Sequence, residues 1–346
     1  MDILLVITLL AAAFYVGWNI GANDAANCIG TTVGAQIVSY RKAALLMSVF
    51  VILGGTLQGH HVMKTVGKGI VITEATTYEE YNSAPAPAEL SDYFPDGRLP
   101  DLAILVALLS AGFFVTLATF TSTPVSTSQA IVGGVAGVGL GLVGAEPEYF
   151  QIGVLIKIVG AWVISPVLTM ILAFVVYLSL SFSLRRVKAI YWSNVLALAV
   201  LATAAYVSYS LGANDVGNAI GPLLNRFPDK GPYLAALGGV AMAVGALTFG
   251  ARVTDTVGKS ITPLDYAGAL SAQLAAGLGV HVFSMLGIPV STSQAIIGGV
   301  VGVGLTKGAR AVSIRKISQI LLGWIVTPTC AAIFAAWLYR FLSVLM

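Results

Sequence analysis

Two nearly identical polar strings interrupt long apolar runs of this chain. Gly21-Ala22-Asn23-Asp24 opens GANDAANCIG, and Gly212-Ala213-Asn214-Asp215 opens GANDVGNAIG. A carboxylate flanked by asparagines in such a setting must find partners, because a buried polar group without one costs several kcal/mol. The same arrangement occurs twice in equivalent surroundings. That points to one site with two-fold character, built for an ion or a polar solute.

The surroundings are a lipid bilayer. Of 346 residues, 57% are hydrophobic and 10% charged, and the apolar runs exceed what a soluble domain needs. The net charge of +3 is scattered over loop positions, with no basic stripe or tail for nucleic acid. Cys28 and Cys330 lie in apolar runs without CxxC spacing or a histidine cluster, so neither a disulfide framework nor a zinc site is indicated. The first apolar run lacks a positive leader and carries Asp2. It also has a counterpart at 191–211, so it reads as a membrane element and not as a cleaved signal.

The duplication extends along the chain. Asn23 and Asn214 are separated by the same distance in sequence as the VGK triplets at Val66 and Val257. PVSTSQAI occurs at Pro124 and again at Pro289, and Trp162-Val-Ile-Ser-Pro166 matches Trp324-Ile-Val-Thr-Pro328. The later pairs are closer together because the first half alone carries a hydrophilic segment, about 73–100. The expected repeats are 1–182 and 190–346, joined by a short basic linker at 183–189.

Loop charge sets orientation. The loop after the first PVSTSQAI contains Glu146 and Glu148, while its counterpart contains Lys307, Arg310, Arg315 and Lys316. Equivalent loops with opposite charge preference imply inverted topology. The linker, with Arg185, Arg186 and Lys188, belongs inside, as do Arg41, Lys42, Arg252 and Lys259. Both termini and the acidic 73–101 segment then fall outside; Arg226 and Lys230 run against the rule. The expected fold is an all-α polytopic membrane protein of two inverted-topology repeats with discontinuous helices, about ten to twelve membrane elements. The first element of each repeat is too long for one straight span, so a break is expected at each GAND string.

The chemistry of the site follows from residue types. In Pro124-Val-Ser126-Thr127-Ser128-Gln129, proline and serine mark a helix start. Such a start offers free N–H groups, hydroxyls and the positive dipole end to an anion. Ser291, Thr292, Ser293 and Gln294 repeat it, and Thr121, Ser122 and Thr123 add hydroxyls in the first half only. Glycines follow both strings (Gly133, Gly134; Gly298, Gly299), allowing close helix approach. Asp24 and Asp215 would repel an oxyanion unless protonated or bridged by a cation. Asn23, Asn27, Gln129, Asn214, Asn218 and Gln294 supply neutral oxygens, so the set suits Na⁺ or another hard cation. Asp24 and Asn27, like Asp215 and Asn218, share a face if helical. Anion and cations then depend on each other, which is cotransport, and broken elements in inverted repeats fit alternating access.

His60, His61 and His281 are too scattered for a metal site, and Lys68 and Lys259 read as snorkelling anchors. Trp18, Trp162, Trp192, Trp324 and Trp337 fit interfacial belts or helix packing.

With its paired GAND and PVSTSQA strings, the chain resembles the inorganic phosphate transporter (PiT) family over essentially its whole length. The resemblance implies symport of inorganic phosphate with Na⁺ in many members and H⁺ in others, external termini and no enzymatic activity. Carried over by position, phosphate would meet Ser126, Thr127, Ser128, Ser291, Thr292, Ser293, Asn27 and Asn218. Na⁺ as the coupling ion would meet Asn23, Asp24, Gln129, Asn214, Asp215 and Gln294. Ala25, Cys28 and Gly217 depart from the family's usual GANDVANA form, leaving the choice of cation open. The short linker resembles prokaryotic members of a plasma (inner) membrane, and the apolar surfaces allow a homodimer. H⁺-coupled phosphate or sulfate permeation by the same fold is the alternative. A membrane hydrolase is disfavoured, since no histidine or lysine accompanies Ser126 or Ser291, and an anion channel has no need of the paired broken elements.

Overall fold

The computed structural model describes residues 3–120, 125–184, 189–251, 254, 264–308 and 314–345. Thr121 to Pro124, linker residues 185–188, Arg252, Val257, Lys259 and Arg310 lie outside the described residues, as do the side chains of Trp192, Arg315 and Lys316.

Within those residues the chain is helical, and its one bridge between extended segments pairs Val71 with Phe150. The first half consists of α1 (Ile3–Gly34), α2 (Tyr40–Gln58), α3 (His60–Lys68), the short α4 (Ala75–Asn82) and α5 (Glu89–Tyr93), α6 (Asp101–Phe120), α7 (Thr127–Val143) and α8 (Ile152–Leu184). The second consists of α9 (Ala189–Leu224), α10 (Gly231–Thr248), α11 (Tyr266–Met285), α12 (Thr292–Thr306) and α13 (Ile314–Leu345). Among the described residues, eight helices are long and apolar enough to cross a bilayer: α1, α2, α6, α8, α9, α10, α11 and α13. The other two apolar helices, α7 and α12, are shorter.

Close glycine contacts reveal the helix directions. Along α1 and α10, Gly17 meets Gly238 and Ala241, Gly21 meets Met242, and Ala22 meets Gly245, so the two helices run the same way. Along α2 and α9, Val51 meets Gly212 and Gly55 meets Val216, again in parallel. However, Tyr40 at the start of α2 donates to the carbonyl of Ala246 near the end of α10, while Ile52 meets Gly239, so α2 opposes α10. Therefore α9 opposes α1, its equivalent. The repeats are inverted, as the loop charges imply.

The discontinuities lie elsewhere than the sequence suggested. α1 and α9 run unbroken through both GAND strings. Their polar side chains find partners on neighbouring elements, so the backbone has no need to open. Gly21 and Gly212 serve close packing instead: a Cβ there would lie 1.9 Å from the Met242 carbonyl and 2.1 Å from that of Val51. The interruptions come between α6 and α7 and between α11 and α12. Ala107 packs on Gly134 and Ala272 on Gly299, so each pair forms an antiparallel hairpin whose two ends share one side. Gly287 turns the second hairpin in the left-handed region, at φ 71°.

The two hairpins enter from opposite sides and their tips touch. Ser128 Oγ donates to the Val290 carbonyl at 2.6 Å, and Ser293 Oγ to the Val125 carbonyl at 3.2 Å. Each hairpin is clasped by the last helix of the other repeat, α13 on α7 and α8 on α12. Gly133 against Pro328 and Gly298 against Pro166 make those contacts close.

The hydrophilic segment is more ordered than a plain loop. It carries α4 and α5, and Tyr78 and Tyr93 pack on Tyr149 beyond α7. Arg226, the exception to the charge rule, lies 3.3 Å from Asp101 at the start of α6. Lys68 pairs with Glu74 at 3.3 Å.

Candidate functional site

Where the hairpin tips meet, α1 and α9 present their GAND strings. All fourteen residues singled out from the sequence are buried, each no more than 4% exposed, and hydrogen bonds join Asp24, Asn27, Thr127, Ser128, Asn214, Asp215, Asn218, Thr292 and Ser293 in one network. The helix starts are capped as expected. Ser126 Oγ accepts from the Gln129 N–H and Ser291 Oγ from the Gln294 N–H, both at 3.2 Å. A glutamine three residues after a capping serine commonly reaches back to the cap N–H. Here Gln129 Oε1 and Gln294 Oε1 are buried without any partner.

The carboxylates collect the hydroxyls. Asp24 accepts from Thr127 Oγ1 (3.1 Å), Ser293 Oγ (3.2 Å) and Asn27 Nδ2 (2.7 Å). Asp215 accepts from Thr292 Oγ1 (2.9 Å), Ser128 Oγ (3.2 Å) and Asn218 Nδ2 (2.7 Å). Each carboxylate thus takes a threonine from one hairpin, a serine from one hairpin and an asparagine from its own helix, with the repeats exchanged. The amides reach on to the same serines, Asn27 to Ser293 at 2.8 Å and Asn218 to Ser128 at 2.7 Å. Thr127 Oγ1 also lies 3.4 Å from Asp215, so one hydroxyl reaches both carboxylates. The two acids therefore share a single small centre.

The asparagines preceding the acids behave differently from one another. Asn214 locks the second tip, its Nδ2 donating to the Val290 carbonyl at 2.6 Å and its Oδ1 accepting from the Val290 N–H at 3.1 Å. Asn23 Nδ2 donates to Thr119 on α6 at 3.2 Å.

Some polar groups around the centre carried no signal that the motifs could supply. Tyr15 donates to Thr116 Oγ1 at 2.5 Å and Thr116 to Asn19 Oδ1 at 2.8 Å, forming a ladder that leads along α1 towards Asn23. In the second half Tyr206 meets His281 Nδ1 at 2.8 Å in the corresponding place. Asn19 could have been found, since it lies one helical turn before Asn23. The carbonyls of Val125 and Val290 could not, because a backbone acceptor has no residue signature.

As a chemical set, the centre is rich in acceptors and short of free donors. Every hydroxyl proton of Thr127, Ser128, Thr292 and Ser293 already has an acceptor. Asn218 Oδ1 in the network has no donor, and neither do the buried Gln129 Oε1 and Gln294 Oε1, one residue beyond Ser128 and Ser293. A hard cation satisfies such oxygens, together with carboxylates, without bringing a proton.

An inverted-repeat, polytopic helical protein with a closed polar centre between two hairpin tips has the architecture of a membrane transport protein. The sequence profile of the phosphate transporter family matches residues 20–335, and the chain belongs to that family. It is 29% identical over 428 aligned positions to a candidate phosphate permease of Thermococcus kodakarensis, covering 99% of each chain. It is 30% identical over 325 positions to one of Methanocaldococcus jannaschii, covering 94% of this chain and 93% of the relative. A solved structure described as the sodium-dependent phosphate transporter superposes with a TM-score of 0.83 at 28% identity, over 99% of this chain and 100% of the other.

Proposed function

We propose that this protein imports inorganic phosphate across the plasma membrane by symport with Na⁺. The centre would alternate between the two sides as one hairpin tip or the other withdraws. The observation that carries this reading is the crossed network in which each aspartate engages hydroxyls from both hairpins, with Asn218 Oδ1 in that network left without a donor.

The network supplies a reason for coupling. With the carboxylates uncompensated, they hold the hydroxyl protons and repel an oxyanion. Na⁺ beside Asp24 and Asp215 takes over as their partner, and Gln129, Gln294, Asn23 and Asn214 offer further oxygens. Thr127, Ser128, Thr292 and Ser293, with the N–H groups at the starts of α7 and α12, then turn to the phosphate oxygens, joined by Ser126, Ser291 and the amides of Asn27 and Asn218. Neither ion is well held alone, which is the condition for symport. Repeats 1–182 and 190–346, linked through 183–189, would each supply one hairpin and one aspartate.

The test is uptake of radiolabelled phosphate into proteoliposomes under an inward Na⁺ gradient or matched K⁺ at fixed pH, with excess sulfate as competitor. Na⁺-dependent uptake that sulfate does not block supports the reading. Uptake indifferent to Na⁺ but driven by a pH gradient replaces Na⁺ with H⁺. Uptake blocked by sulfate removes the preference for an oxyanion that can itself donate a proton to a carboxylate.

A further inference from the structure

Behind the hairpin tips lies a cleft of about 870 Å³, whose lining shares only Gln129 and Gln294 with the proposed ion site. Its floor is α7 and α12, and its walls are α8 and α13. The walls stand apart because each is drawn onto the opposite hairpin, through Gly133 on Pro328 and Gly298 on Pro166. Both repeats contribute equivalent residues, among them Trp162 and Trp324, Ala136 and Val301, Gln129 and Gln294. No ionisable side chain lines it.

Three observations define the occupant. The cleft lies midway along α8 and α13, beside Pro166 and Pro328, at membrane depth. Its rim residues Val163 and Ile325 are 65% and 68% exposed, so it opens sideways to the bilayer. Its volume falls within the range of small-molecule sites, about 300–1,000 Å³, and an apolar space of this kind takes up apolar matter in preference to water. We propose that an acyl chain of a membrane lipid enters between α8 and α13 and fills this cleft, backing the closed tips. Gln129 and Gln294 link the two places: they line the cleft and directly follow Ser128 and Ser293.

The experiment reads occupancy and needs no transport. Trp162 is 9% exposed and lines the cleft, with its Nε1 donating to the Pro289 carbonyl at 3.2 Å. A full-length variant keeping Trp162 alone (Trp18, Trp192, Trp324 and Trp337 each →Phe) is reconstituted in phosphatidylcholine brominated at mid-chain, and in the unbrominated lipid. The proposal expects bromine to quench most of the Trp162 emission, and Ala136→Phe, which fills the cleft, to restore it. Val301→Phe is the equivalent substitution on the other repeat and covers the case in which Ala136→Phe does not fold. Absence of quenching, or quenching that neither substitution relieves, overturns the proposal. Quenching that appears only when a dimer is dissociated also overturns it, by assigning the cleft to a second copy of the chain.

Discussion

Asp24 accepts three hydrogen bonds and Asp215 four, with Thr127 reaching both. Asparagine at either position keeps the volume and one acceptor oxygen but removes the charge that a cation would neutralise. A hydrogen bond to a charged group contributes about 1.5–3 kcal/mol, and about 1.4 kcal/mol is a factor of ten in rate. Asp24→Asn and Asp215→Asn are therefore each expected to lower Na⁺-driven phosphate uptake at least about ten-fold. The purified variants should still elute as the parent does. Parental uptake in both would remove the carboxylates from the mechanism. Asn214 has a further task, since both its amide atoms pair with the Val290 backbone. Asn214→Ala leaves the buried Val290 N–H unmatched and its carbonyl to Ser128 alone, at a cost of about 1–3 kcal/mol. A lowered melting temperature in detergent is expected even without substrate. An unchanged melting curve would mean that this pair does not hold the tip.

At the level of elements, glycine placement decides which helices touch. Gly21 and Gly212 sit where the backbones of α10 and α2 approach within reach of a missing Cβ. Gly21→Ala and Gly212→Ala should each reduce thermal stability strongly, because the obstruction is backbone that cannot rotate away. Gly160 on α8 has open space around it. Alanine there should raise stability by up to about 1 kcal/mol through helix propensity. Equal melting shifts at all three positions would contradict this account of the packing. The same glycines mark the limit of what the sequence could tell. The duplicated strings, the capped starts of α7 and α12 and the i, i+3 pairing of Asp24 with Asn27 were legible, because each is a local pattern of side chains. The continuity of α1 and α9 was not. A Gly-Ala-Asn-Asp string in an apolar run looks like a break until its partners are known, and those partners, Thr127 and Ser293 or Thr292 and Ser128, come from elements far away in sequence. The crossing of the repeats was hidden for the same reason, as was the orphaned state of Gln129 Oε1 and Gln294 Oε1.

Across the whole molecule, inversion converts one sequence pattern into two hairpins that enter from opposite sides, and membrane orientation then determines which hairpin faces which side. Helix directions alone relate α1 to α9; they do not say which end of α1 lies outside. The expectation from loop charge is that the cap formed by α4, α5 and the segment after α7 lies outside and the α1–α2 connection inside. Three exposed serines sample these places: Ser83 after α4, Ser343 near the end of α13, and Ser39, whose side chain makes no capping bond to α2. In a background with Cys28→Ala and Cys330→Ala, each serine is replaced singly by cysteine and probed in intact cells with a membrane-impermeant maleimide. Ser83→Cys and Ser343→Cys should label directly, and Ser39→Cys only after permeabilisation. The reverse pattern would keep the inverted repeats but turn the protein over, making the hairpin of α6 and α7 the inner gate. Labelling of Ser39→Cys and Ser83→Cys from one side would contradict the inversion itself, since α2 and α3 would no longer separate the two loops. Only the expected pattern is compatible with the proposed import, in which the α6–α7 hairpin would admit phosphate from outside and the α11–α12 hairpin would release it within.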